Sequence, residues 1–185
     1  IKINGEVWKQ FAGGQVAGIN RVWKSGDKLE LMLPMHIFTN RWYEHSMSVE
    51  RGPLTYALKI GEEIKKVINT KDSSEFGPSY YEVLPTTTWN YGLPGVAPDK
   101  LEQQFVVEKA GSVDTRFPWN LENAPIRVKT KGRKIPSWKL YNGMTGPIPF
   151  STTYQLEVEP EEDIILVPYG CTQLRIAQFP VVRRN

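Results

Sequence analysis

Residues 162–180 read EDIILVPYGCTQLRIAQFP, and this stretch decides the fold class. The run from Ile164 to Val167 is apolar at every position, which is typical of a central strand covered on both faces. After it, Leu174 and Ile176 alternate with polar residues, which is the pattern of a strand with one buried face. The stretch therefore predicts two consecutive strands.

The same alternation occurs upstream. KLELMLPM (28–35) and GPLTYALKI (52–60) each predict a strand with one buried face, formed by Leu29, Leu31 and Leu33 in the first and by Leu54, Tyr56 and Leu58 in the second. KSGD (24–27) is typical of a hairpin turn, in which Gly26 takes the positive φ that a short loop with a bulge needs.

Helix signals are nearly absent. The best candidate, GEEIKKVIN (61–69), is short, and its β-branched residues fit a strand equally well. The 14 Pro and 15 Gly residues supply turn signals at short intervals. We therefore predict an all-β protein of antiparallel β-sandwich architecture, formed by two packed β units with little or no helix.

A polar stretch, NTKDSSEFGPS (69–79), suggests a division between the β units. We expect a first unit at residues 1–60 and a C-terminal β-sandwich at residues 61–185. A single sandwich with a long insertion is the alternative.

Charge and hydropathy limit the partners. The 23 basic residues are scattered and the net charge is +3, so we expect no nucleic-acid partner. The densest basic run, KTKGRK (129–134), is interpreted as a solvated strand–turn–strand tip. No stretch approaches the ~20 apolar residues of a membrane span, so we expect no membrane partner.

Metal and nucleophile motifs are lacking in the sequence. His36, His45 and Cys171 are the chain's His and Cys residues, and they are scattered, so we expect no metal site and no cofactor. Cys171 has no His or Lys beside it and is interpreted as a small buried hydrophobe. We therefore assign no catalytic residue to this chain.

Aromatic residues offer a carbohydrate site. In YYEVLPTTTWNYGL (80–93), Trp89, Asn90 and Tyr91 combine flat rings with an amide, as a site for the apolar face and hydroxyl rim of a sugar requires. The alternative is that the rings fill the sandwich core. Trp138 is equally ambiguous, whereas we expect Trp23 and Trp42 to pack in the core or between units.

Three stretches occur in an order that resembles a known family: INRVWKSGDKLELMLPM (19–35), SVERGPLTYALKI (48–60) and DIILVPYGCTQLRIAQFP (163–180), with YEVLPTTTWNYGL (81–93) between the last two. They resemble the β-sandwich region that follows the catalytic barrel in glycoside hydrolase family 127, the β-L-arabinofuranosidase-like proteins. In that family an N-terminal (α/α)6 barrel carries a cysteine nucleophile, acidic residues and a zinc held by cysteines and a glutamate.

None of those catalytic motifs occurs here, so the resemblance transfers no catalytic residue. It implies a non-catalytic region of a glycoside hydrolase acting on arabinose-containing or related plant glycans, located in the periplasm or secreted. Its partners would be the barrel of the same protein, a glycan, or a second copy in a homo-oligomer. It also implies that residues 1–60 lack the opening strands of a first sandwich. The alternatives are a self-standing carbohydrate-binding module and a structural β-sandwich without a ligand.

Overall fold

A computed structural model describes residues 1–70, 77–113, 116–151 and 156–184. The chain divides into two compact units, Ile1–Met35 and His36–Asn185. The expected all-β class with little helix is confirmed, since short strands make up most of the regular structure and the α-helix of the described residues, Leu101–Gln104, is four residues long.

The first unit contains a three-stranded antiparallel sheet in the order β2–β1–β3, formed by β1 (Lys2–Ile3), β2 (Glu6–Val7) and β3 (Leu29–Glu30). The turn predicted at residues 24–27 is present, with Gly26 at φ 89°. The Asp27 carboxylate fixes this turn, since it accepts hydrogen bonds from Asn4 Nδ2 at 2.8 Å and from the Lys24 amide at 2.9 Å. These hydrogen bonds lower the pKa of Asp27.

The strand predicted at residues 28–35 is wrong in extent and in burial. Pairing stops at Glu30, and Leu29, Leu31 and Leu33 are 46%, 60% and 65% exposed. Pairing ends there because the partner strand, β1, is two residues long. The three leucines are exposed because the described residues pack little against their side chains.

The second unit is built on a sheet in the order β15–β9–β11–β14–β6–β5–β4, with β10 also paired to β11. Its strands, with the separate ribbons β7–β8 and β12–β13, are β4 (Ile37–Arg41), β5 (Met47–Arg51), β6 (Leu54–Leu58), β7 (Glu62–Ile68), β8 (Ser79–Pro85), β9 (Tyr91–Pro94), β10 (Val106–Lys109), β11 (Ile126–Lys134), β12 (Leu140–Tyr141), β13 (Met144–Thr145), β14 (Glu162–Pro168) and β15 (Val181–Val182). Three-residue 3-10 turns lie at Tyr43–His45, Pro98–Lys100 and Tyr169–Cys171.

The apolar run that opens the C-terminal stretch forms a central strand, as predicted. β14 lies between β11 and β6, and Ile164, Leu166 and Val167 are buried. Leu166 packs into the main core with β6 and β11, whereas Val167 packs with Cys171 on the other face. β6 is also a strand, as predicted, with Tyr56 and Leu58 buried, but Ala57 between them is buried as well, so this end of β6 is covered on both faces rather than on one.

The boundary between the two compact units follows Met35, whereas the sequence suggests a boundary near residue 60. β6 pairs with β14, Leu58 opposite Leu166, so strands from both sides of residue 60 share one sheet. The polar stretch expected to mark the division contains residues 71–76, which lie outside the described residues.

The basic run at residues 129–134 is not a turn. It lies inside β11, the nine-residue strand that pairs with β10, β14 and β9. Lys129 and Lys131 point outward and pair with Glu108 at 2.8 Å and Asp163 at 2.7 Å on the adjacent strands. Neighbouring carboxylates therefore accommodate these charges within a regular strand.

The strand predicted after Cys171 is not formed. The carboxylate of Glu62, at the start of β7, accepts hydrogen bonds from the amides of Gln173 at 2.6 Å and Leu174 at 2.9 Å. Because a side chain takes these two donors, the segment does not enter a ladder there. It joins the sheet further on, where Phe179 forms a bridge with Met47 and β15 pairs in parallel with β9.

The main core depends on two fully buried phenylalanines, Phe105 and Phe179. We expect Phe105→Ala to lower the free energy of unfolding by about 3–5 kcal/mol, because it leaves a cavity among packed side chains. Phe117, which is 63% exposed, provides the matched control, and Phe117→Ala should change stability by at most about 0.5 kcal/mol. Urea unfolding of both variants measures the difference, and equal losses would contradict this placement of the core.

Candidate functional site

Trp89, Asn90 and Tyr91 lie where the chain enters β9, next to the turn that follows β11. The Asn90 side-chain amide donates to the carbonyls of Ile135 at 2.8 Å and Trp138 at 3.1 Å. The Asn90 carbonyl accepts from the Ile135 amide at 2.9 Å. The Asn90 side chain thus fixes residues 135–138, and both of its amide hydrogens are used inside the protein.

Trp89 packs edge to face with Trp138, with ring centroids 5.2 Å apart and an interplanar angle of 75°. Trp138 is buried, and its indole N–H donates to the Gly146 carbonyl at 3.0 Å. Trp89 is partly buried, and it packs against the main core and against the neighbouring group of buried side chains that contains Trp138. This geometry is typical of a packed aromatic pair.

Tyr91 is buried, and its hydroxyl donates to Glu162 Oε1 at 2.8 Å. The same carboxylate oxygen lies 3.0 Å from Lys134 Nζ. Burial raises the pKa of Tyr91, and the hydrogen bond and charge of Glu162 raise it further. The hydrogen bonds from Tyr91 and Lys134 lower the pKa of Glu162. Tyr91 therefore stays protonated and acts as a hydrogen-bond donor.

The structure thus brings the three expected sugar-binding residues together but gives them internal contacts. Its geometry favours the alternative left open by the sequence, that these rings fill the core. A sugar-binding role for Trp89, Asn90 and Tyr91 stays a prediction.

Other aromatic side chains are more accessible. Trp42 is 53% exposed and Trp23 48%, so neither fills a core, and packing between units stays a prediction for both. Sequence reasoning missed Trp119 and Tyr169, which are 42% and 44% exposed. Their signal is local, since each directly follows a proline, in FPWN and VPYG, and proline often marks a turn, where side chains tend to face solvent.

Cys171 ends the 3-10 turn after β14. It is 4% exposed, and it packs with Ala124 and Val167. Burial raises its pKa, so the thiol stays protonated near neutral pH. This is the buried, unreactive cysteine that the sequence suggested.

The histidines contact other side chains. His36 Nδ1 is 3.6 Å from Glu102 Oε1, and the His45 ring packs edge to face on Phe150. Across the described ranges, no three His, Cys, Asp or Glu side chains converge as metal ligands would. Nor does any helix within those ranges have the length and apolar character needed to span a bilayer.

Comparison with known proteins gives one structural likeness. The chain matches no family model, and no curated protein matches it. A solved structure described as a glycoside hydrolase resembles it with a TM-score of 0.52 and 20% sequence identity. The match covers 99% of this chain and 25% of that chain, so this chain spans about a quarter of the length of that hydrolase. At this identity the likeness shows a shared fold.

The contacts of Trp89 lead to a test of its role. We expect Trp89→Ala to lower the free energy of unfolding by about 3 kcal/mol, near the lower end for a large aromatic side chain because Trp89 is partly buried. Trp23→Ala serves as the exposed control and should cost far less. Chemical denaturation measures both. A Trp89→Ala protein as stable as its parent would contradict the packing role and favour the sugar-binding interpretation.

The buried thiol also gives a test. We expect iodoacetamide to modify Cys171 slowly in the folded protein and rapidly in urea, because alkylation needs an exposed thiolate. Raising the pH toward 9 should increase the rate of alkylation far less in the folded protein than in the unfolded one, since the pKa of the folded thiol is raised. Mass spectrometry follows the reaction, and fast labelling of the native protein would contradict the assignment.

Proposed function

We propose that this chain is a non-catalytic β region of a glycoside hydrolase that acts on arabinose-containing or related plant glycans. The observation that carries the proposal is the likeness to a glycoside hydrolase, which extends over 99% of this chain and a quarter of the other. A match of that kind is expected of an accessory region beside a larger catalytic part. The order of the four sequence stretches quoted above supports the same family of hydrolases.

The buried thiol supports the non-catalytic part of the proposal. A nucleophilic cysteine needs access to substrate and a lowered pKa. Cys171 has neither, because apolar neighbours surround it and raise its pKa.

The first unit supports a role in packing against another part of the protein. Ile3 is the buried apolar side chain of residues 1–35, all of which are described, whereas large apolar side chains are exposed at Val7, Trp8, Val16, Val22, Trp23, Leu29, Leu31, Met32, Leu33 and Met35. Exposed apolar surface of this extent is typical of interaction sites. We infer that these residues pack against the catalytic barrel or a second copy of the chain.

The purified chain should not hydrolyse aryl arabinofuranosides, with or without added zinc, and Cys171→Ser should behave identically. Turnover that is lost in the Cys171→Ser variant would overturn the non-catalytic assignment. The link to a hydrolase is tested by sequencing the coding region upstream of the Ile1 codon. A helical catalytic region should be encoded there, and an in-frame stop codon directly upstream would contradict the proposal.

A second candidate, a self-standing carbohydrate-binding module, is favoured by one observation. Trp119 and Tyr169 are accessible aromatic rings that border the same pocket. Such a module would bind glycan without any hydrolase partner, so the upstream coding sequence also separates these two functions.

A further inference from the structure

A pocket of about 460 Å³ lies where β6 begins and β14 ends, away from the Trp89 segment. Trp119 and Tyr169 line it together with residues 53–55 and Pro168. This volume lies within the range of small-ligand sites. The lining is largely apolar, with the Thr55 hydroxyl as a polar group, so the pocket suits a ligand with one apolar face.

The two rings come from different parts of the chain. Trp119 belongs to the irregular segment between β10 and β11, whereas Tyr169 starts the 3-10 turn after β14. Each ring is less than half exposed and thus partly supported by the protein. Flat aromatic faces of this kind pack against the C–H face of a sugar ring.

A cation lies beside this pocket, over the ring of its lining residue Tyr169. The Arg175 guanidinium lies 4.8 Å from the centroid of the Tyr169 ring, and its Nε–H donates to the Thr172 carbonyl at 2.9 Å. Among the described residues, no carboxylate forms an ion pair with Arg175. The guanidinium therefore disfavours cationic ligands and offers its Nη groups to a carboxylate, which it can bind through two parallel hydrogen bonds.

The segment that carries Arg175 is fixed by Glu62. Glu62 Oε1 accepts hydrogen bonds from the Thr172 hydroxyl at 2.6 Å and from the amides of Gln173 and Leu174. The carbonyl that orients Arg175 belongs to this anchored backbone. Cation and ring are therefore held in place before a ligand arrives, which reduces the entropy lost on binding.

We propose that this pocket binds an acidic sugar residue, a hexuronate, with its ring against Trp119 and its carboxylate on Arg175, beside Tyr169. The proposal rests on the proposed function, since it names the glycan chemistry that this region would recognise. The aromatic walls account for binding a sugar ring, and Arg175 accounts for preferring an acidic ring to a neutral one.

The test compares an oligogalacturonate with its methyl ester, which keeps the ring and removes the charge, by isothermal titration calorimetry on the full chain. We expect the acid to bind about tenfold more tightly than the ester, as a charge-assisted hydrogen bond predicts. Arg175→Gln should make the two affinities equal, whereas Trp119→Ala should weaken both. Added salt should weaken binding of the acid and leave the ester unchanged.

Matched controls are Arg41→Gln and Trp42→Ala. Arg41 also donates to a backbone carbonyl, that of His45 at 3.1 Å, and Trp42 is exposed like Trp119. Neither should alter binding, and thermal melts confirm that every variant is folded.

Equal affinities for acid and ester in the parent protein, or an unchanged preference in Arg175→Gln, would overturn the proposal. The absence of sugar binding would also overturn the proposal, even if a proline-rich peptide binds in its place. These failures would leave the proposed function standing if the chain is inert and a catalytic region is encoded upstream. Conversely, hydrolysis by the isolated chain would overturn the proposed function whatever the pocket binds.

Discussion

The fold of the second unit depends on the pairing of β11 with strands on both of its edges. β14 runs along one edge, and β10 and β9 follow each other along the opposite edge. Gly132 permits the close contact with β14, because a Cβ atom there would lie 2.6 Å from Ile164 Cδ1. A side chain at this position would force the terminal methyl group of Ile164 to move, so Gly132 leaves the space that Ile164 fills on the core face of the sheet.

The same strand also explains why the densest run of basic residues forms no cationic patch. Ile126, Val128 and Thr130 face the core, so the intervening basic side chains face outward beside the carboxylates of β10 and β14. Exposed ion pairs of this kind contribute little to stability. Their effect is to accommodate charge on a strand whose other face is apolar.

How far the sequence predicts the structure depends on whether what a segment packs against can be inferred from the segment itself. β14 and β6 are predictable because their apolar patterns match faces that are in fact covered. β11 also has a period-two apolar pattern, which favours a strand. The sequence nevertheless predicted a turn there, because KTKGRK contains a Gly. The leucines of residues 28–35 show the limit, since alternation reveals a face without revealing whether anything covers it.

The candidate sites likewise combine features that the sequence predicts with features that it does not. The burial of Cys171 could be inferred because no His or Lys adjoins it in sequence and a free Cys is usually a small buried hydrophobe. The hydrogen bonds of Asn90 to residues 135–138 could not, nor could those of Glu62 to residues 172–174, because each joins positions distant along the chain. Trp119 and Tyr169 meet at one pocket for the same reason, since the sheet brings their segments together.

The bridge between Met47 and Phe179 and the parallel pairing of β15 with β9 have a consequence for the order of folding. Phe179 completes the main core, and its backbone partner lies 132 positions earlier in the chain. Closing so long a loop costs entropy before any contact repays it, so folding of this unit should be slow. During synthesis, Met47 at the start of β5 and the edge of β9 that pairs with β15 lack their partners, and apolar core side chains stay exposed, until residues 179–182 arrive. In that interval the nascent chain is prone to aggregation and is a natural substrate for chaperones.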